Sequence, residues 1–92
     1  MKSKLVVEIY YCTQCRWLLR ASWYANELLT TFQDQLGGVC LKPSSGGMFQ
    51  IFVDEKKIWC RKENNGFPDI KELKQKVRDI VDPDMSLGHS ES

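Results

Sequence analysis

Neither sign of charge predominates in this chain: thirteen Lys and Arg stand against twelve Asp and Glu, a net charge of +1. That balance excludes a bulk electrostatic attraction to nucleic acid or to an anionic membrane surface. Long apolar runs are missing as well, the longest falling far short of the ~20 residues that a membrane-spanning helix needs. Met1–Lys2–Ser3–Lys4 passes straight into strand-like sequence without an apolar leader and cleavage site, so the expected location is cytoplasmic. Histidine occurs once, at His89, and proline three times. Internal repeats and linker-like stretches are absent. One domain is expected over residues 1–82, with 83–92 a solvated tail. A chain of 92 residues buries roughly 60–65% of its unfolded surface, enough for a single core without staples.

What is present is a strand-to-helix change of period with two cysteines at the change. Leu5 to Tyr11 is nearly all apolar and rich in β-branched and aromatic residues, as suits a strand covered on both faces. After Cys15, the residues Trp17, Ala21, Tyr24, Leu28 and Phe32 recur at helical spacing, predicting an amphipathic helix to about Gln35 closed by Gly37–Gly38. Val39–Lys42 reads as a short strand, Pro43–Gly47 as a loop, and Met48–Val53 and Lys57–Arg61 as a hairpin across Asp54–Glu55–Lys56. Glu63–Gly66 is a turn. Asp69, with Glu72 three residues on, has the pattern of a capping box for a last helix whose buried stripe is Ile70, Leu73, Val77 and Ile80. Pro83 stops that helix. The order β-α-β-β-β-α, with a crossover helix making the first two strands parallel, predicts a two-layer α/β domain with a four-stranded mixed sheet.

Cys12 and Cys15 lie at the end of the first strand and in or near the first turn of the helix. Free N–H groups and the helix dipole favour a thiolate there, and Arg16 adds a cation. Three readings of the pair are open: a redox couple, two ligands of a metal site, or two core thiols. A zinc site would need Cys40, Cys60 or His89 to complete it, each singly placed. Cys40 and Cys60 lie inside strands and read as small core hydrophobes. Trp17 falls on the buried stripe of the helix, whereas Trp23 lies off it and offers a contact surface, as does Phe67–Pro68. Lys56, Lys57, Arg61 and Lys62 alternate with acids and read as solvated charge on the hairpin. Cys12→Ser is expected to abolish disulfide formation and leave the fold intact, the site being exposed at the junction.

Taken together, the strand VVEIYYCTQC, the helix RWLLRASWYANELLTTF, the stretch SSGGMFQIFVDEKKIW and the late GFPDIKELKQKVRDIV resemble the selenoprotein W-like (Rdx) redox family, and most of all its selenium-free bacterial members. The resemblance covers about Leu5 to Val81. It implies a thioredoxin-like fold and a part in thiol redox chemistry and cell redox homeostasis, with glutathione or protein thiols and disulfides as partners and no bound cofactor. Selenium-containing relatives carry selenocysteine at the position that matches Cys15, and Cys12 matches their first cysteine. Sulfur at Cys15 is the poorer nucleophile and leaving group, so strong peroxidase activity is not implied. Thioredoxins place a cis-proline where this chain has Gly46–Gly47, and glycine leaves room there for close approach. Thioredoxin logic makes Cys12 the exposed nucleophile and Cys15 the resolving thiol, whereas the selenocysteine relatives point the other way, to the position of Cys15. Thr13, Gln14, Arg16, Trp23, Gly46 and Gly47 are the candidate contacts of a substrate or partner. If the sheet order also follows the family, Cys40 and Cys60 lie on opposite edges and cannot meet. The functional alternatives are a thiol–disulfide oxidoreductase, a redox-regulated interaction module without turnover, and a small metal carrier.

Overall fold

Side chains of β1 (Leu5–Cys12) alternate, Val7, Ile9 and Tyr11 turning inward. The structure, a computed structural model, describes residues 4–88. It continues through α1 (Leu18–Thr31), β2 (Leu36–Ser44), β3 (Phe49–Val53), β4 (Lys56–Cys60), the single turn α2 (Arg61–Asn64) and α3 (Ile70–Val81). The sheet runs in the order β2-β1-β3-β4, with β1 parallel to β2 and antiparallel to β3, and β3 antiparallel to β4. Both long helices cover one face. Tyr24 of α1 donates its hydroxyl to the Pro68 carbonyl at 2.6 Å, and Lys74 of α3 reaches Glu27 of α1 at 3.1 Å. Between them and the sheet Ile9, Leu28, Phe32, Phe49, Ile51 and Leu73 are fully buried. This is the two-layer, four-stranded mixed arrangement expected from the element order.

Several local expectations are corrected. β1 is covered on one face only. On the other, Glu8 pairs with Lys42 at 2.6 Å and Tyr10 meets the edge of Phe52 at a centroid distance of 5.5 Å. Gly37–Gly38 does not close α1, which ends four residues earlier where Phe32 is buried at its C-cap. The glycines lie inside β2 instead. Leu5 pairs with Leu36 and Val6 with Gly38, so Gly37 is the extra residue of a β-bulge. A Cβ on Gly37 would stand 3.3 Å from the Lys4 carbonyl, which explains glycine at that close approach.

The hairpin turn is one residue shorter than its composition suggests, with Asp54 in the left-handed region at φ 56° and Val53 paired with Lys56, so β4 spans Lys56–Cys60. Arg61–Asn64 forms one helical turn, closed by Asn65 at φ 59°, so Arg61 is not the end of the strand as expected. Asp69 caps α3 as expected, its carboxylate accepting from the N–H groups of Lys71 and Glu72. Residues 83–88 are not a solvated tail. Leu87 is only 8% exposed, Met85 packs on the core, and Arg78 donates to the Met85 carbonyl at 3.4 Å. His89 and the rest of the expected tail lie outside the described residues.

Candidate functional site

Cys12 is the last residue of β1, the central strand that feeds the crossover, and ligands of open α/β sheets gather at such carboxyl ends. The chain leaves the sheet there in a tight turn. Thr13 donates its backbone N–H to the Ser44 carbonyl at 3.0 Å, and the N–H of Arg16 closes on the Thr13 carbonyl at 3.0 Å. Arg16 sits at φ 60°, a left-handed conformation that costs an L-residue roughly 1–2 kcal/mol. Thr13, Gln14, Cys15 and Arg16 are all exposed on this turn. Trp17 then precedes α1 as its N-cap, with no side-chain cap bond. Cys15 therefore lies in the turn, three residues before the helix, near its first turn rather than within it.

The two sulfurs stand 2.6 Å apart, and the Cys15 N–H points at the Cys12 sulfur at 3.3 Å. Their surroundings differ. Cys12 is buried, 1% exposed, while Cys15 faces solvent. This corrects the expectation that the first cysteine is the outer one. The exposure on which the expected tolerance of Cys12→Ser rested is absent, although the Cys15 N–H and thiol are placed to hydrogen-bond a serine hydroxyl there.

The Cys15 thiol, donating to Cys12, holds the Cys12 thiol below its ordinary range. Burial opposes that, and the N–H groups of Gly47, Cys15 and Gln14 add to it. Cys15 is pushed up by the same hydrogen bond, then by burial and the charge on Cys12, with Gly47 and the Arg61 guanidinium pulling the other way. A thiolate at Cys12 is thus favoured first by the Cys15 thiol and then by backbone N–H groups of the two loops.

The second loop is Ser45–Met48. Gly46 and Gly47 have φ 68° and 72°, and the Met48 N–H returns to the Ser45 carbonyl at 3.3 Å, the pattern of a type I′ turn. Arg61 anchors it, donating Nε and a terminal nitrogen to the Gly47 carbonyl at 3.3 and 3.1 Å. The same guanidinium lies 4.9 Å over the Trp17 ring, whose edges meet Phe67 at 4.9 Å and Phe49 at 6.3 Å. Arg61, read as solvated hairpin charge, is in fact a strut of the site. Its tie to Gly47 spans fourteen residues, and no local pattern announces it.

Trp23 is exposed on α1 and borders, with Arg16, Trp17, Leu19 and Arg20, a groove of about 580 Å³ that begins one residue past Cys15. Leu19 and Arg20 were not singled out by the sequence. Trp17 contributes to the aromatic cluster from the turn, not from the stripe of the helix. Cys60 is buried at the end of β4 and accepts from Gln50 at 3.6 Å, whereas Cys40 is exposed because the outer edge strand turns it away from the helices. The two are on opposite edge strands, as expected from the sheet order. Among the described residues no three His, Cys, Asp or Glu side chains come together as metal ligands, and no helix is long and apolar enough to cross a membrane.

The model of the Rdx family matches residues 6–79, a span that contains both cysteines, the 45–48 loop and Arg61. The chain belongs to the Rdx family. A crystal structure of a selenoprotein W-related protein from Vibrio cholerae is 50% identical to this Rdx chain, covers 87% of it and 100% of its own length, and superposes with a TM-score of 0.84. A crystal structure of a protein from Bordetella parapertussis is 51% identical, covers 84% of this chain and 98% of its own, with a TM-score of 0.82. No curated protein matches. Likeness at that identity makes the architecture of this Rdx chain thioredoxin-like, and membership ties it to a family that is generally redox-related.

Proposed function

We propose that the protein is a thiol–disulfide oxidoreductase in which Cys15 attacks and Cys12 resolves. The observation that supports this reading is the contact of a buried sulfur with an exposed one at 2.6 Å. Its reduced, singly ionised form shares one proton between the two sulfurs. Cys15, the sulfur a substrate can reach, attacks a disulfide R–S–S–R′ as its own proton passes to Cys12. The Cys15–S–S–R bond forms, the R–S–S–R′ bond breaks, and R′–S⁻ leaves. Cys12 then releases that proton to solvent and attacks the Cys15 sulfur, forming Cys12–S–S–Cys15 and expelling R–S⁻. Two electrons have passed from the pair to the substrate, and the reverse sequence oxidises a dithiol. Protein disulfides and glutathione disulfide are the substrate class, in the cytoplasm, with no bound cofactor.

The order of attack has a direct test. Reduced Cys12→Ser, treated with glutathione disulfide, should accumulate a stable glutathione adduct on Cys15, read by intact-mass and peptide mass spectrometry. Cys15→Ser should form an adduct on Cys12 at least about tenfold more slowly, because that sulfur is covered. An adduct that builds on Cys12 in Cys15→Ser, with Cys15 inert in Cys12→Ser, would reverse the assignment. Cys12→Ala serves where serine impairs folding. The exposed Leu19 and Trp23 beside the pair favour a second reading, a module whose partner affinity follows the redox state without turnover. Multiple turnovers with a regenerating reductant separate the two.

A further inference from the structure

Leu19 is 82% exposed and Trp23, one helical turn on, 48% exposed, and both border the groove whose lining begins at Arg16, the residue after Cys15. Large apolar side chains left uncovered in a concave site point to something that covers them. The charge around them is one-sided. Arg16 and Arg20 line the groove, and Arg61 lies on the other side of Trp17. Among the described residues none of these three arginines enters an ion pair. The carboxylates of Glu8, Glu27, Glu63 and Asp79 are engaged with Lys42, Lys74, Lys57 and Arg78. Asp69, whose charge is felt at Tyr24, is turned to the N–H groups of α3. Arg20 is held 4.1 Å over the Phe67 ring, which fixes its guanidinium and leaves its charge intact. A chain with a net charge of only +1 thus gathers three arginines without an ion pair among the described residues close to its exposed sulfur.

We infer that this groove docks a protein segment in which acidic residues and an apolar side chain flank the cysteine that exchanges with Cys15. This inference rests on the thiol–disulfide reading above and adds the substrate class. A segment whose cysteine bonds to Cys15 reaches the groove through Arg16, the next residue along the turn. The apolar neighbour covers Leu19 and Trp23, and the carboxylates meet Arg16 and Arg20, whose planar forks suit them. A small tripeptide thiol brings carboxylates and no side chain for the apolar wall. A basic segment meets like charge.

The test uses the full chain and three synthetic peptides that differ only at the residues beside one Leu-Cys pair: Asp, Asn or Lys. The cysteine of each is presented as its mixed disulfide with 2-mercaptoethanol. Bis(2-hydroxyethyl) disulfide serves as a neutral small substrate. Matched peptides with serine for cysteine, carrying a fluorophore, report docking alone by anisotropy. The Asp peptide should exchange about tenfold faster than the Lys peptide at low salt, the scale of electrostatic steering. That advantage should shrink at 1 M salt, where the screening length is about 3 Å, and in the double variant Arg16→Gln, Arg20→Gln. The Asp-Ser peptide should bind most tightly.

Equal rates and equal binding for the three peptides, or a preference for Lys, would overturn the docking assignment while exchange with the small disulfide left the redox reading standing. A dimer at working concentration that Leu19→Lys dissociates would also overturn it, with a second copy as the occupant. Failure of all four disulfides to exchange would remove the redox reading, and the anisotropy ranking alone would then decide the groove.

Discussion

Two sulfurs in contact titrate as one unit. The hydrogen bond from Cys15 lowers the first ionisation, and the charge it leaves on Cys12 raises the second. Thiolate absorbance at 240 nm, taken as the difference between wild type and the double variant Cys12→Ser, Cys15→Ser, should therefore rise in two steps, one below and one above the ordinary thiol value of ~8.5. Either single serine variant should give one step between them. The sign for stability follows. A lowered Cys12 contributes fully above the unfolded thiol value and loses that contribution as pH falls through its folded value. A raised Cys15 contributes below the unfolded value and loses its share as pH rises through its folded one. The pair accordingly stabilises the reduced fold most in the interval between the two steps, near pH ~8.5. A single step in wild type, coincident with those of the variants, would mean that the sulfurs do not share a proton.

At the scale of elements the site is a junction of a turn, a loop and one arginine. Arg61 holds the Gly47 carbonyl with two hydrogen bonds, and its charge favours ionised Cys15. Arg61→Met should slow exchange with a neutral disulfide several-fold and cost on the order of 1–2 kcal/mol of stability, with far-ultraviolet circular dichroism unchanged. Arg61→Lys keeps the charge and not the fork, so its rate should recover in part. An unaltered rate in Arg61→Met would reduce the arginine to packing on Trp17.

The strands, the crossover helix and the Asp69 cap were legible in the sequence because period and capping chemistry are local. Gly37–Gly38 misled because two glycines suit a helix stop and a bulge alike, and only the pairing of β2 with Leu5 and Val6 decides between them. The early start assigned to α1 failed for a related reason. Arg16 and Trp17 fit a helical pattern, while closure of the 13–16 turn puts Arg16 in the left-handed region. Which cysteine is covered, and that Arg61 reaches the site, depended on contacts between segments far apart in sequence.

For the molecule as a whole, the sheet order decides which thiols can react together. Cys12 ends a central strand and meets Cys15 across a turn, while Cys40 and Cys60 sit on β2 and β4 with two strands between them. The 83–88 segment returns over the core through Leu87, so the apolar layer is closed at that end and the exposed apolar side chains concentrate on the first turns of α1. The exposed sulfur, the groove and arginines that enter no ion pair among the described residues thus share one end of a small domain. The measurement that bears most directly on this account is a redox titration in glutathione buffers, with alkylation and mass spectrometry locating every oxidised sulfur. Reversible formation of a Cys12–Cys15 bond, with Cys40 and Cys60 still thiols, is the predicted result. A pair that stays reduced in oxidising buffer, or oxidation that falls on Cys40 or Cys60 instead, would contradict it.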